Sequence, residues 1–176
     1  MAEFKAEVLN NFVRENNVQT VIEFGCGDGN QLTLADYPRY IGFDVSEDAL
    51  AQCRARFDAD ATKSFKAMGQ YDGERAELTL SLDVVYHLVE DEVYEQYMSR
   101  LFDTSDAFVI VYSSNSDANP ANQLPHVRHR MFTRWVEANR PKWTLRQHLP
   151  NRYPLVDDHQ TQSFAEFFVF ERAASS

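Results

Sequence analysis

The stretch Glu23-Phe24-Gly25-Cys26-Gly27-Asp28-Gly29-Asn30 decides the reading of this chain. It closes an apolar run, TVIEFG at 20–25, with the character of a buried strand, and it leads into a short helical stretch at 30–36. Glycines let a backbone turn sharply and approach a ligand where a side chain would collide. In a doubly wound sheet such a turn lies at the C-terminal edge of the strands, where ligands bind. A dinucleotide-binding turn would carry its third glycine at position 30, and Asn30 stands there instead.

Outward from this turn, helix-like and strand-like segments alternate. Residues 2–16 place Phe4, Val8, Leu9, Phe12 and Val13 on one helical face. YIGFDV (40–45) is a second strand, and Ser46 is placed to cap a helix at 47–57. SFKAMG (64–69) and AELTLSLD (76–83) are the third and fourth strands, followed by an amphipathic helix at 90–103. AFVIVYSSN (107–115), the most apolar strand, belongs inside the sheet. A helix near 132–140 ends before Pro141, and TLRQHL (144–149) and SFAEFFVFER (163–172) follow with no helix between them, so these two pair antiparallel. The order predicts an α/β fold: a doubly wound, mostly parallel seven-stranded sheet with the last strand antiparallel and helices on both faces, in one domain over residues 1–176.

Composition narrows the function. A net charge of -10 from 27 acidic and 17 basic residues argues against a general grip on phosphate backbones, and so against nucleic acid as a partner. The two cysteines, Cys26 and Cys53, sit in no disulfide framework or metal-ligand spacing. With a mixed, charged N-terminus and no apolar run of membrane length, the expectation is a cytoplasmic protein without membrane contact.

Asp44 ends the second strand, 19 residues past Gly25, where a carboxylate can accept from two ribose hydroxyls. Ser81-Leu82-Asp83-Val84-Val85-Tyr86-His87-Leu88 follows the fourth strand. Together with the ExGxGxG turn, this segment resembles the class I, Rossmann-like, S-adenosylmethionine-dependent methyltransferases. The resemblance rests on residues 20–30, 40–46 and 77–88, and the strand order extends it over nearly the whole chain. It implies S-adenosylmethionine as cofactor and no metal. Glu23, Gly25, Gly27 and Asn30 would surround its methionine half, Asp44 its ribose, and Gln70 or Asp72 its adenine. Leu82 and Asp83 would approach the methionine end. Where the family commonly starts the fourth strand with Asp, this chain has Glu77. Tyr86 and Asp83 suit a sulfonium through an aromatic face and a carboxylate, although core packing explains Tyr86 equally well.

The acceptor is expected beyond the strand ends. Tyr112 and Asn115 end the fifth strand with polar groups, and His126-Val127-Arg128-His129-Arg130 gathers four ionisable side chains. Arg128 and Arg130 are candidates for an anionic acceptor; His126, His129 and His87 are candidates for a base. The competing reading of this cluster is a solvated loop paired with the acidic surface. Trp135, Trp143 and Tyr153 either wall an aromatic pocket or belong to the core. The function expected is methyl transfer to an oxygen or nitrogen of a small polar or anionic acceptor. Its rivals are a nucleic-acid or protein methyltransferase, a catalytically silent cofactor-binding partner subunit, and a nicotinamide-dependent oxidoreductase.

Overall fold

The computed structural model describes residues 1–153 and 163–174. Seven strands form one sheet: β1 (Thr20–Phe24), β2 (Arg39–Asp44), β3 (Lys63–Ala67), β4 (Ala76–Leu82), β5 (Ser105–Ser113), β6 (Trp143–Leu149) and β7 (Glu166–Arg172). Their spatial order is β3-β2-β1-β4-β5-β7-β6. β1 to β5 pair in parallel, while β7 lies antiparallel between β5 and β6. The predicted fold is borne out. β5 is an inner strand, as its apolar run requires.

Alternation along the strands explains the two layers. Val21, Leu78, Leu80, Ile110, Phe167 and Val169 face one side, where α1 (Ala2–Glu15) and α2 (Glu47–Arg56) cover them. Ile22, Phe24, Val109, Val111, Phe168 and Phe170 face the other, under α3 (Asp91–Asp103) and α4 (Phe132–Asn139). Burying these side chains on both faces drives the assembly, at roughly 25 cal/mol per Å² of apolar surface.

Local signals set most boundaries. The Ser46 hydroxyl accepts from the Ala49 amide at 3.2 Å, and Glu47 and Asp48 sit at the positive end of α2. The helix expected at 30–36 is a single 3-10 turn, Gln31–Leu34. β3 stops at Ala67 instead of Gly69, and Met68–Gln70 forms another 3-10 turn. Trp143 is core, Trp135 is half-buried with its indole N–H on Glu95, and Tyr153 packs on Phe4 on the opposite side of the sheet. These three aromatics therefore wall no common pocket. The expected absence of a helix between β6 and β7 falls partly on 154–162, outside the described residues.

Candidate active site

The C-terminal ends of β1, β2 and β4 open onto a cavity of about 490 Å³. Gly25, Asp44, Leu82, Asp83 and His87 line it, with Val45, Met68 and the α3 side chains Val93, Gln96, Tyr97 and Arg100. The wall is mostly apolar with a few polar groups at fixed points, as small-ligand sites generally are.

The glycine turn closes one side. Gly25, Gly27 and Gly29 all have positive φ. Gly25, at φ +85°, also leaves no room for a Cβ, which would collide with the Val84 side chain. The turn's amides are turned inward. Gly25 and Cys26 donate to the Phe43 carbonyl, Gly29 to Cys26, and Asn30 to the Asp28 side chain. Gly27 donates to Asp44 Oδ2 at 2.8 Å, while Ser46 donates to Oδ1 at 2.9 Å. Asp44 is thus aimed by two amides, with lone pairs left over on the cavity wall. A pyrophosphate, by contrast, needs free amides and a helix N-terminus. This turn offers a single amide, that of Asp28, and leads only into a 3-10 turn, which counts against a dinucleotide.

Glu23 lies beneath the turn, 6% exposed, accepting from the Tyr40 hydroxyl at 2.7 Å. Burial pushes its carboxyl up from 4.5 to about 7, against the pull of the Tyr40 hydroxyl and the Lys5 charge. Asp44 and Asp83 push in the same direction as burial.

Asp83 has φ +61°, a left-handed backbone that is costly for a residue with a side chain. Its amide donates to the Tyr112 carbonyl at 3.0 Å. Its carboxylate receives the Lys5 ammonium at 2.8 Å and the Tyr86 hydroxyl at 2.9 Å. Lys5, on the first turn of α1, carries no sequence signal, because nothing in the spacing links it to a residue 78 positions away. Tyr86 is committed to Asp83 and packs edge-on against Phe164 at 4.9 Å.

His87 stands on the cavity wall. Its Nδ1 is 3.0 Å from the His126 carbonyl. A carbonyl only accepts, so Nδ1 carries the hydrogen, and in the neutral ring Nε2 keeps the lone pair. The His87 and His126 rings lie near-parallel, 5.7 Å apart, both exposed. His129 is differently placed: Nδ1 pairs with the Ser114 hydroxyl at 2.6 Å and Nε2 meets the Gln123 amide nitrogen at 3.2 Å. Burial lowers its proton affinity. Both of its ring nitrogens are thus engaged within the protein.

Other sequence candidates sit elsewhere. Gln70 bonds the Ala67 amide and Asp72 is exposed; Val45 and Met68 line the cavity in their place. The Asn30 side chain is exposed, and Asn115 is tied to Thr133 across the start of α4. The Tyr112 hydroxyl is buried and accepts from Asn151 at 2.8 Å. Arg128 and Arg130 are not an open anion fork. Arg128 donates to the Val89 carbonyl at 2.9 Å, Arg130 donates to Leu88 and Val89, and both pair with Asp91 at 2.9 Å. They brace the turn that leads into α3, because the sequence leaves those carbonyls without strand or helix partners. Among the described residues, no helix is long and apolar enough to cross a membrane.

No family model matches the chain. Over 100 residues it is 31% identical to the small RNA 2′-O-methyltransferase of Arabidopsis thaliana, a match covering 47% of this chain and 11% of that protein. The methyltransferase domain of bacterial CtHen1-C superimposes with a TM-score of 0.75 at 20% identity, covering 98% of each chain. Magnesium protoporphyrin IX methyltransferase from Synechocystis PCC 6803, solved with S-adenosylhomocysteine bound, gives 0.74 at 13% identity over 97% of this chain and 83% of that one. The Arabidopsis match overturns the expectation, drawn from net charge, that set nucleic acid aside as a partner. Net charge sums the whole surface and says nothing of the one groove an acceptor meets. From the glycine turn to the antiparallel β7, the chain has the class I S-adenosylmethionine-dependent methyltransferase fold.

Proposed function

We propose that this chain binds S-adenosylmethionine in the cavity above β1, β2 and β4 and transfers its methyl group to a hydroxyl or amine of a polar acceptor. The observation that carries the reading is the placing of a base on the cofactor cavity. His87, with its Nε2 lone pair free, shares one cavity of about 490 Å³ with Gly25, Asp44 and Asp83. S-adenosylmethionine, when bound, supplies a methyl group on a cationic sulfur. Everything else falls to the chain's own residues. Asp44 holds the ribose hydroxyls, Glu23 and Asp83 supply negative charge beside the sulfonium end, and Val45, Met68 and Val93 offer apolar surface to the adenine. His87 takes the acceptor's proton as the new bond forms, and positioning supplies much of the remaining acceleration.

A second reading of the acceptor, the 2′-hydroxyl of RNA, is favoured by the 31% identity to a small RNA 2′-O-methyltransferase. A hydroxyl of this kind keeps its proton at neutral pH, so it is the sort of acceptor that needs a base such as His87. One experiment tests both. S-adenosylhomocysteine release is followed with a panel of small hydroxy and amino compounds and with short single-stranded RNAs, each also offered with a 2′-deoxy terminus. His87→Gln should lower turnover about 10²–10⁴-fold while cofactor affinity stays unchanged. Normal turnover in that variant would refute the assignment of the base. Turnover of only the 2′-hydroxyl RNAs would decide for the second reading.

A further inference from the structure

The methionine end of the cavity carries an uneven set of charges. Asp44 and Asp83 line it, and Glu23 lies buried beneath the turn, close enough for both to act on its carboxyl. Against three carboxylates stands Lys5, whose ammonium is 2.8 Å from Asp83 and whose charge also reaches Glu23. Its side chain is only 14% exposed, and it lies 5.5 Å from the centre of the Tyr112 ring. Burying a lysine this far costs free energy that a single ion pair rarely returns. Helix α1 nevertheless spends a residue of its first turn on it.

An amino-acid end brings two charges on one carbon, an ammonium and a carboxylate. Its ammonium has two carboxylates on the cavity wall to choose from, Asp44 and Asp83. The carboxylate has few hosts. Five of the six amides from Gly25 to Asn30 already donate within the protein. Arg56 is bound to the Asp28 carbonyl at 2.8 Å, and Arg100 stands over the Tyr71 ring, which follows β3. A carboxylate brought among Glu23, Asp44 and Asp83 without a cation would be strongly repelled.

We infer that Lys5 is a cofactor-binding residue: its ammonium receives the methionine carboxylate while its ion-pair partner Asp83 receives the methionine ammonium. The two ion pairs then lie head to tail, so every charge has an opposite neighbour. Tyr86 and the left-handed backbone of Asp83 hold the protein's half of this arrangement in place. The inference rests on the cofactor assignment made above and extends it to a residue of α1.

The test compares two ligands by calorimetry: S-adenosylmethionine, and decarboxylated S-adenosylmethionine, which keeps the sulfonium and the amine and lacks only the carboxylate. The wild-type chain should prefer the first by about tenfold or more, the range of a charge-assisted hydrogen bond. Lys5→Met should bring the ratio to one or below, and Lys5→Arg should restore much of it. Because each ratio is measured on one variant, binding of the decarboxylated ligand reports that the variant is folded. A wild-type ratio near one, a preference that survives Lys5→Met, or a variant that no longer binds the decarboxylated ligand would overturn the assignment of Lys5. Failure of the wild-type chain to bind either ligand would sink the cofactor reading itself.

Discussion

Replacing Glu23 by Gln should make the protein more stable at pH 8 and a poorer cofactor binder. Glu23 is 6% exposed, and its carboxyl is pushed from 4.5 to about 7, chiefly by burial. The native state therefore keeps a proton that the unfolded chain releases. The stability Glu23 contributes is fully present below pH 4.5 and is lost as the pH rises through about 7. At ~1.4 kcal/mol per unit, that interval is worth about 3 kcal/mol. Gln preserves the shape and still accepts from the Tyr40 hydroxyl, so it removes the titration and little else. Urea unfolding of both proteins at pH 5 and pH 8 gives the measurement. Other groups shift with pH in both proteins and cancel in the difference. That difference should move by about 2.5 kcal/mol in favour of Glu23→Gln between the two pH values, part of the loss having already occurred at pH 5. Parallel curves would refute the argument, since they would mean that Glu23 is solvated or fixed in one state throughout. A buried carboxylate that weakens the fold calls for a reason to exist, and a cationic ligand provides one. Cofactor affinity of the wild type should rise between pH 6 and 8 and stay flat in the variant.

Three further outcomes follow from the geometry. Asp44→Ala should weaken S-adenosylmethionine binding by roughly 1.5–3 kcal/mol in calorimetry; unchanged affinity would make Asp44 merely the brace of the Gly27 and Ser46 amides. Gly25→Ala should abolish cofactor binding and lower stability by about 1–3 kcal/mol in thermal melts, because its positive φ and the Val84 side chain both reject a Cβ. Arg130→Ala should cost about 1–3 kcal/mol of stability with the acceptor's KM unchanged, since its guanidinium serves the Leu88 and Val89 carbonyls and Asp91; a raised KM at normal stability would restore it to the acceptor site.

The fold was legible because its signals are local and periodic. Strand residues alternate between two cores, and the helices carry one apolar face each. The turns between them carry weaker signals. Gln31–Leu34 is too short for its periodicity to separate a 3-10 turn from an α-helix, and the end of β3 at Ala67 is set by Gln70 bonding back to the Ala67 amide.

The site was legible only where its residues follow a strand. Glu23, Gly25, Gly27, Asp44, Leu82, Asp83 and His87 all sit on or just past β1, β2 and β4, so knowing the strands sufficed to bring them together. Lys5, Gln96, Tyr97 and Arg100 reach the same region from helices, through contacts between distant parts of the chain that no spacing records. The 126–130 cluster carries the opposite lesson. Its charge reads equally as an acceptor site or as a loop paired with the acidic surface, and here Arg128 and Arg130 are turned back onto the Leu88 and Val89 carbonyls and onto Asp91. Yet the same loop supplies the carbonyl of His126, which fixes the His87 tautomer. The loop thus contributes its backbone and its bracing, and it holds in place His87, the base we propose, at the end of the segment whose pattern first pointed to the family.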